Sequence, residues 1–531
     1  MGLQYSNEVF WFSSLCRFEL FMCLRVFVFL LVACASHDGS PCAAKQPNIV
    51  LVYADDVGFG DVSCKGAQAV STPNIDRIAQ EGIRFTDAHC SSATCTPSRY
   101  ALLTGSYAFR KKNTGIRAGN ANLIIEPHSI TLPDRLKSVG YATGVVGEWH
   151  LGLGKGKMDW NPLVRPGPNE IGFDYHFLIP ATGDRVPCVY LEQARVVDLD
   201  PSDPIAVDYK RPVGEDPTGR QHPERLKQQL SHGHDKTIVN GISRIGYMSG
   251  GKQARWIDED MADVITSKAI EFVESHRQQP FFLFFSTHDI HVPRVPHSRF
   301  VGATSMGPRG DAIAQLDWCV GQRLRTLDRL KLAENTLVIF TSDNGLVLND
   351  GYLDEANEKL GDHRPSGPYR SGKYSKYEGG TRVPFVARWP GEIKAATTAN
   401  ALFGQIDLAA TFASLVGADV PEGSLPDSLN HVDALLGKDS VGRPHLIHES
   451  NGLALRQGAW KYVTSGKVRD GLNSGAQRKI RNVSLPGELF HLQRDPSEKA
   501  NLAASEPKQL QMMQALLTKI RQSTDRKLRE T

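Results

Sequence analysis

The sequence predicts an α/β fold, with a mostly parallel sheet, helices on both of its faces and a small C-terminal α+β subdomain. Three observations carry this prediction. Short runs that are almost wholly apolar, Pro47 to Tyr53, Phe281 to Phe285 and Thr336 to Phe340, read as strands covered on both sides, as parallel sheets require. The stretches between them carry apolar residues three and four positions apart, the period of a helix with one buried face. Each run ends in a polar cluster, Asp55-Asp56, Ser286-Thr287-His288-Asp289-Ile290-His291 and Ser342-Asp343-Asn344-Gly345, and in such sheets the site lies beyond the carboxyl ends of the strands.

In chain order, residues 26–33 (Val-Phe-Val-Phe-Leu-Leu-Val-Ala) are too few to span a bilayer and suit the apolar core of an export signal. Starting at Met22 gives this core a compact n-region, Met22-Cys23-Leu24-Arg25. Leu31-Val32-Ala33-Cys34 resembles a bacterial lipobox, which would attach a lipid to Cys34; a cut after Ala33-Cys34-Ala35 would instead free a soluble protein. The reading favours the lipid and places the protein in the bacterial periplasm or cell envelope. The leader is residues 1–35, the catalytic domain 46–435 and the C-terminal subdomain 436–531.

Pro97 and Ser98 suit the first turn of a helix. That puts Cys95 at a helix N-terminus, where N–H groups favour an anion. Leu132 to Val139 and Ile257 to Val273 read as helices, as does the stretch carrying Ile313, Leu316, Val320, Leu324, Leu327 and Leu330. Residues 186–250 are rich in Asp, Pro, Gly and His with weak periodicity, an insertion placed over the site. A helix follows from Asp407, short strands from about 440 and a last helix near 508–521.

With 531 residues, 22% charged and 40% hydrophobic, and a net charge of +3, the chain has the composition of a globular protein and no electrostatic case for nucleic acid. Of nine cysteines, Cys16 and Cys23 fall in the leader. Setting aside Cys34 and Cys95 leaves Cys42, Cys64, Cys90, Cys188 and Cys319, which require no disulfide and show no CxxC metal pattern.

The chemistry is carried by few residues. Asp55, Asp56, Asp343 and Asn344 form an oxygen-only ligand set, which suits Ca²⁺, or Mg²⁺, rather than zinc. Cys95-Thr96-Pro97-Ser98-Arg99, continued by Leu102-Leu103-Thr104-Gly105, resembles the signature by which sulfatases have a cysteine oxidised to formylglycine (3-oxoalanine). Further matches to that family are Thr72-Pro73-Asn74-Ile75-Asp76, Phe85-Thr86-Asp87-Ala88, Gly147-Glu148-Trp149-His150-Leu151-Gly152, Lys373 to Gly380, and Glu488-Leu489-Phe490 with Asp495-Pro496. The resemblance spans nearly the whole mature length. It implies an alkaline phosphatase-like fold with a mixed, mostly parallel sheet, and an arylsulfatase-like hydrolase acting on a sulfated carbohydrate or aryl sulfate.

By the same resemblance, Asp55, Asp56, Asp343 and Asn344 hold the cation with the hydrate made from Cys95, one hydroxyl of which attacks sulfur. Arg99 stabilises that hydrate. Lys373 and His291 bind sulfate and protonate the leaving oxygen, and His150 takes the proton from the second hydroxyl as sulfate departs. Maturation by a formylglycine-generating enzyme is implied too. His288 reads as structural, Lys376 as a surface charge, and Thr182 as a residue of the substrate site.

One position departs from the family pattern. Glu148 stands where the resemblance calls for a lysine that bridges sulfate and hydrate, a change of two charge units. Three accounts follow: Glu148 points away and Lys155 or Lys157 substitutes; Glu148 is partly protonated; or the enzyme is weakened, in which case Glu148→Lys raises turnover. Two other functions also fit these residues, a phosphodiester or phosphonate hydrolase on the same fold and a catalytically impaired protein that binds sulfated glycans.

Overall fold

Ten strands form the central sheet of the protein, a computed structural model in which residues 1–2, 46–473 and 479–523 are described. The readings of the leader, with Cys34 and Cys42, fall outside those residues. In chain order the strands are β1 (Asn48–Ala54), β2 (Ile83–Phe85), β3 (Ala142–Glu148), β4 (Tyr175–Ile179), β5 (Leu191–Glu192), β6 (Arg195–Val196), β7 (Phe281–Ser286), β8 (Thr336–Ser342), β9 (Phe385–Arg388) and β10 (Thr397–Ala399). Their spatial order is β10-β2-β9-β8-β1-β7-β3-β4-β5-β6. The five central strands, β8 to β4, run parallel, and antiparallel pairs flank them.

Every residue of β1, β3, β7 and β8 is buried. Both faces must therefore be covered, and two groups of helices cover them. The first is α1 (Pro73–Gln80), α4 (Met261–Ser275) and α5 (Gly307–Arg329); the second is α2 (Cys95–Thr104), α3 (Leu132–Lys137) and α6 (Leu408–Leu415). The periodic residues of α5 do what their spacing predicts, since Ile313, Leu316, Val320, Leu324 and Leu327 are all buried. At the seam of β3 and β7, Gly147 has φ 109° and a Cβ there would lie 1.9 Å from the Ser286 carbonyl oxygen. Only glycine lets the strands meet so closely.

Small differences from the sequence reading lie at helix ends. The helix carrying Cys95 starts at Cys95 itself, with Thr94 as N-cap in extended conformation, two residues ahead of the expected Pro97. Helix α4 starts at Met261 because Asp258–Asp260 form a separate 3₁₀ turn.

The C-terminal segment adds an antiparallel sheet of β11 (Leu446–Glu449), β12 (Leu453–Gln457), β13 (Trp460–Val463) and β14 (Glu488–His491), with helix α7 (Pro507–Gln522). Its core is shared with the part of the chain that precedes it: Leu446, Leu455, Leu489, Met513 and Leu517 cluster with Ala101 of α2, Tyr107 and Ile406. Among the described residues, no helix is long and apolar enough to cross a membrane, and Cys64, Cys90, Cys95, Cys188 and Cys319 are free thiols.

Candidate active site

Parallel strands deliver their C-terminal residues to one edge of the sheet. Asp55 and Asp56 follow β1, Asp343 and Asn344 follow β8, Thr287 to His291 follow β7, and Glu148 ends β3. The first turn of α2 brings Cys95 to the same edge, and Lys373 arrives on a long loop after β8. All of them but Asp289 are buried. Asp56, His150 and Tyr374 adopt positive φ, 62°, 54° and 68°, a conformation that costs a non-glycine residue of order 1–3 kcal/mol and that surrounding structure must enforce.

Arg99, one turn into α2, organises the floor. Its Nη2 donates to Asp55 Oδ2 at 2.9 Å and to Asp343 Oδ2 at 2.8 Å, while Nη1 donates to the Glu148 backbone carbonyl at 3.0 Å. Lys373 Nζ lies 2.7 and 2.9 Å from the two Asp56 oxygens. Asn344 Nδ2 donates to Asp56 Oδ1 at 2.7 Å, and its Oδ1 is buried with no hydrogen-bond partner.

A divalent cation fits this donor set. Ligand atoms of Asp55, Asp56, Cys95 and Asp343 lie within 4.8 Å of one another, and the orphaned Asn344 Oδ1 is a further hard donor. Four buried carboxylates, those of Asp55, Asp56, Glu148 and Asp343, face two buried cations, Arg99 and Lys373, a deficit of two charges. The carboxyls respond accordingly. Burial, and then its neighbours Asp343 and Glu148, push Asp55 well above the usual carboxylate range. Burial, with Glu148 and Asp56, pushes Asp343 up to about 6 against the pull of Arg99.

The Cys95 Sγ faces Asp55 Oδ1 at 3.7 Å. Burial and that carboxylate hold its thiol well above the usual range. An unconverted Cys95 is therefore a poor nucleophile, since the thiolate is the reactive form.

The two histidines have assigned tautomers. His291 Nδ1 must donate to the Val292 carbonyl at 2.7 Å, which leaves Nε2 towards the site, 3.9 Å from Asp56 Oδ2. Burial and then Lys373 push its pKa down to about 4, so the ring is neutral at neutral pH. His150 Nε2 donates to the Arg117 carbonyl at 3.0 Å, leaving Nδ1 as the atom able to take a proton. Burial lowers its pKa as well.

Glu148 is fully buried and its carboxylate turns away from the cavity. Oε1 lies 3.1 Å from Arg99 Nη2 and Oε2 2.8 Å from His288 Nδ1. Burial alone would raise its pKa, but the Arg99 guanidinium and the hydrogen bond from His288 hold it well below the usual range; His150 Nδ1 lies 3.5 Å from Oε1, without a hydrogen bond. The protonated account therefore fails. So does substitution by Lys155 or Lys157, which are exposed and line no part of the cavity.

A cavity of about 150 Å³ opens over Cys95, His150, His291 and Lys373, walled by Asp184, Arg185, His234, Asp350 and Tyr374. These wall residues escaped the sequence reading. Thr182 was the nearest signal, yet its side chain is buried and hydrogen-bonds Asp184 and Arg185, which are the residues that reach the cavity. His234, from the 186–250 insertion, pairs with Asp184 Oδ2 at 2.9 Å. Lys376, read as a surface charge, is buried with Nζ donating to the Thr464 carbonyl at 3.0 Å.

Comparison with known proteins adds three findings. A sulfatase family model matches residues 47–418. An N-acetylgalactosamine-6-O-sulfatase of Bacteroides thetaiotaomicron is 51% identical over 90% of this chain and 94% of its own length, and human arylsulfatase A is 31% identical over 89% and 87%. A solved structure from work on metabolism of multiple glycosaminoglycans by Bacteroides thetaiotaomicron superposes with TM-score 0.86 at 49% identity, covering 90% of this chain and 100% of that one. A phosphonate monoester hydrolase of Agrobacterium radiobacter, at TM-score 0.54 and 18% identity over 90% and 95%, shares the fold.

Proposed function

The chain belongs to the sulfatase family and is a hydrolase of sulfate esters, and on that premise we propose that it removes the 6-O-sulfate of N-acetylgalactosamine in a sulfated glycan. The observation that carries this is the 51% identity, over 90% of the chain, to a protein of that named activity. The cavity suits a sugar: Asp184, Arg185 and His234 offer hydrogen-bond acceptors and donors to hydroxyls on the wall facing Cys95.

When present, a Ca²⁺ ion held by Asp55, Asp56, Asp343 and Asn344 would polarise the sulfate, and a formylglycine hydrate at position 95 would supply the nucleophilic oxygen. The remaining steps belong to side chains. Arg99 keeps two cation-facing carboxylates, Asp55 and Asp343, in place. Lys373 Nζ, at the cavity floor, offers positive charge to the sulfate. His291, its Nδ1–H locked to a carbonyl, presents Nε2 to the leaving oxygen and protonates it once Nε2 has itself taken up a proton from solvent. His150 takes a proton at Nδ1 from residue 95 as sulfate leaves. Export through the leader, with or without a lipid on Cys34, completes the reading and would place the enzyme where such glycans are met.

Sulfate release from 6-O-sulfated N-acetylgalactosamine, compared with its 4-O-sulfated isomer and its 6-phosphate, tests the substrate. The 6-sulfate should be the preferred of the three by at least about a hundredfold in kcat/KM, and equal rates on the 4-sulfate would refute the assignment. Peptide mass across Cys95 tests the nucleophile, with a loss of about 18 Da expected from oxidation of CH₂SH to CHO.

A further inference from the structure

Glu148 is joined to the Asp184–Arg185 side of the cavity through His288. His288 Nε2 accepts from the Gly183 backbone N–H at 3.0 Å, so its proton sits on Nδ1 and is donated to Glu148 Oε2 at 2.8 Å. His288 is 5% exposed and Glu148 not at all. The contact at Gly183 is close enough to fix the residue type, for a Cβ there would lie 2.5 Å from His288 Nε2. On its other side the Gly183 carbonyl accepts from Arg244 Nη1 at 2.6 Å. Gly183 thus has both backbone groups held, and the next two residues, Asp184 and Arg185, are those that reach the cavity.

We propose that Glu148 is a positioning residue for the leaving-group side of the cavity: through His288 it holds Gly183, and with it the Asp184 and Arg185 side chains that meet the sugar. This rests on the reading of that wall as a sugar-binding surface. A lysine at 148 could not serve, because His288 offers it an N–H and no lone pair once Nε2 is engaged by Gly183. The substitution thus removes positive charge from the sulfate side and adds an anchor on the sugar side. It makes the enzyme depend more on its glycan and less on its sulfate.

The test is a split in kinetics between a sugar sulfate and a small aryl sulfate, which offers Asp184 and Arg185 no hydroxyl to bind. In His288→Ala the KM for 6-O-sulfated N-acetylgalactosamine should rise by about tenfold or more with kcat within about twofold, while both constants for 4-nitrophenyl sulfate stay near wild type. His288→Gln, whose amide can accept from Gly183 and donate to Glu148, should recover most of the loss. Hydrogen exchange over residues 181–186 should quicken in His288→Ala and not in His288→Gln. An equal fall of kcat on both substrates would place His288 in the chemistry and overturn the proposal. Unchanged KM for the sugar, or unchanged exchange, would overturn it as well. If His288→Ala fails to fold, Gly183→Ala, which drives a methyl against the same Nε2, carries the same kinetic readout. A wild-type enzyme active on the aryl sulfate and inactive on the sugar would instead refute the substrate assignment, and hydrogen exchange would then judge the tether alone.

Discussion

Placing lysine at position 148 would set an ammonium against the Arg99 guanidinium, now 3.1 Å from Glu148 Oε1, and against the Nδ1–H of His288. Neither can accept a hydrogen bond from it, and position 148 is fully buried. The charge pattern of the motif alone suggested that Glu148→Lys would raise turnover; the packing reverses that expectation. Glu148→Lys should lower stability by about 1–3 kcal/mol through loss of the acceptor for His288, no more than that because the ammonium would still face the Asp55 and Asp343 carboxylates. It should lower turnover too. Thermal unfolding and sulfate release check both, and a variant with wild-type Tm and higher turnover would show that the carboxylate is not the anchor described above.

At the scale of elements, β11 brings His448 against His89, rings stacked with centroids 4.7 Å apart, beside a knot of Asp87, Glu378, Arg382 and Arg456. Both His448 nitrogens are buried without a hydrogen-bond partner among the described residues. Burial, and then His89, hold its pKa well below the ordinary value, and burial pushes His89 down to about 4. The folded rings stay neutral while the unfolded chain binds protons below about pH 6.5. Stability from this pair is thus present above that pH and is lost as pH falls below it. His448→Phe keeps the stacked ring and removes the titrating group, so it should raise Tm at pH 5 by more than at pH 8. An equal change at both pH values would mean that His448 is already charged or solvated in the folded state.

Over the whole molecule, the C-terminal sheet is fastened to the catalytic part by charge as well as by apolar packing. Lys461 of β13 is fully buried and reaches Glu378 Oε1 at 2.9 Å and Glu498 Oε1 at 3.1 Å. Burial pushes Glu498 up to about 7 even with Lys461 present. Lys461→Met should therefore cost about 3–5 kcal/mol, and adding Glu498→Gln should return part of it, because the stranded carboxyl is then gone. Denaturant unfolding should show one transition for the parent chain. A second prediction concerns the charge deficit at the strand ends: chelation of a bound divalent cation should lower Tm, since an ion at a thousand times its Kd contributes about 4 kcal/mol. Added Ca²⁺ should restore it, and an enzyme whose Tm ignores both chelator and Ca²⁺ would contradict the donor set.

Much of this was legible in the chain itself. The buried strands, their acidic ends, Cys95 at a helix start and the periodic helix before β8 are local patterns, and parallel strands bring their carboxyl ends to one edge whatever the detail of packing. The sequence by itself therefore determined the fold class and which residues gather: Asp55, Asp56, Cys95, Arg99, His150, His291, Asp343, Asn344 and Lys373. Direction was another matter. The turn of Glu148 towards His288, the burial of Lys376 and the cavity wall of Asp184, Arg185, His234 and Asp350 depend on contacts between segments far apart in the chain, such as Glu148 and His288, 140 residues distant. Only the tertiary structure decided those, because a buried side chain takes the orientation in which its neighbours satisfy it, and residue order does not record who the neighbours are.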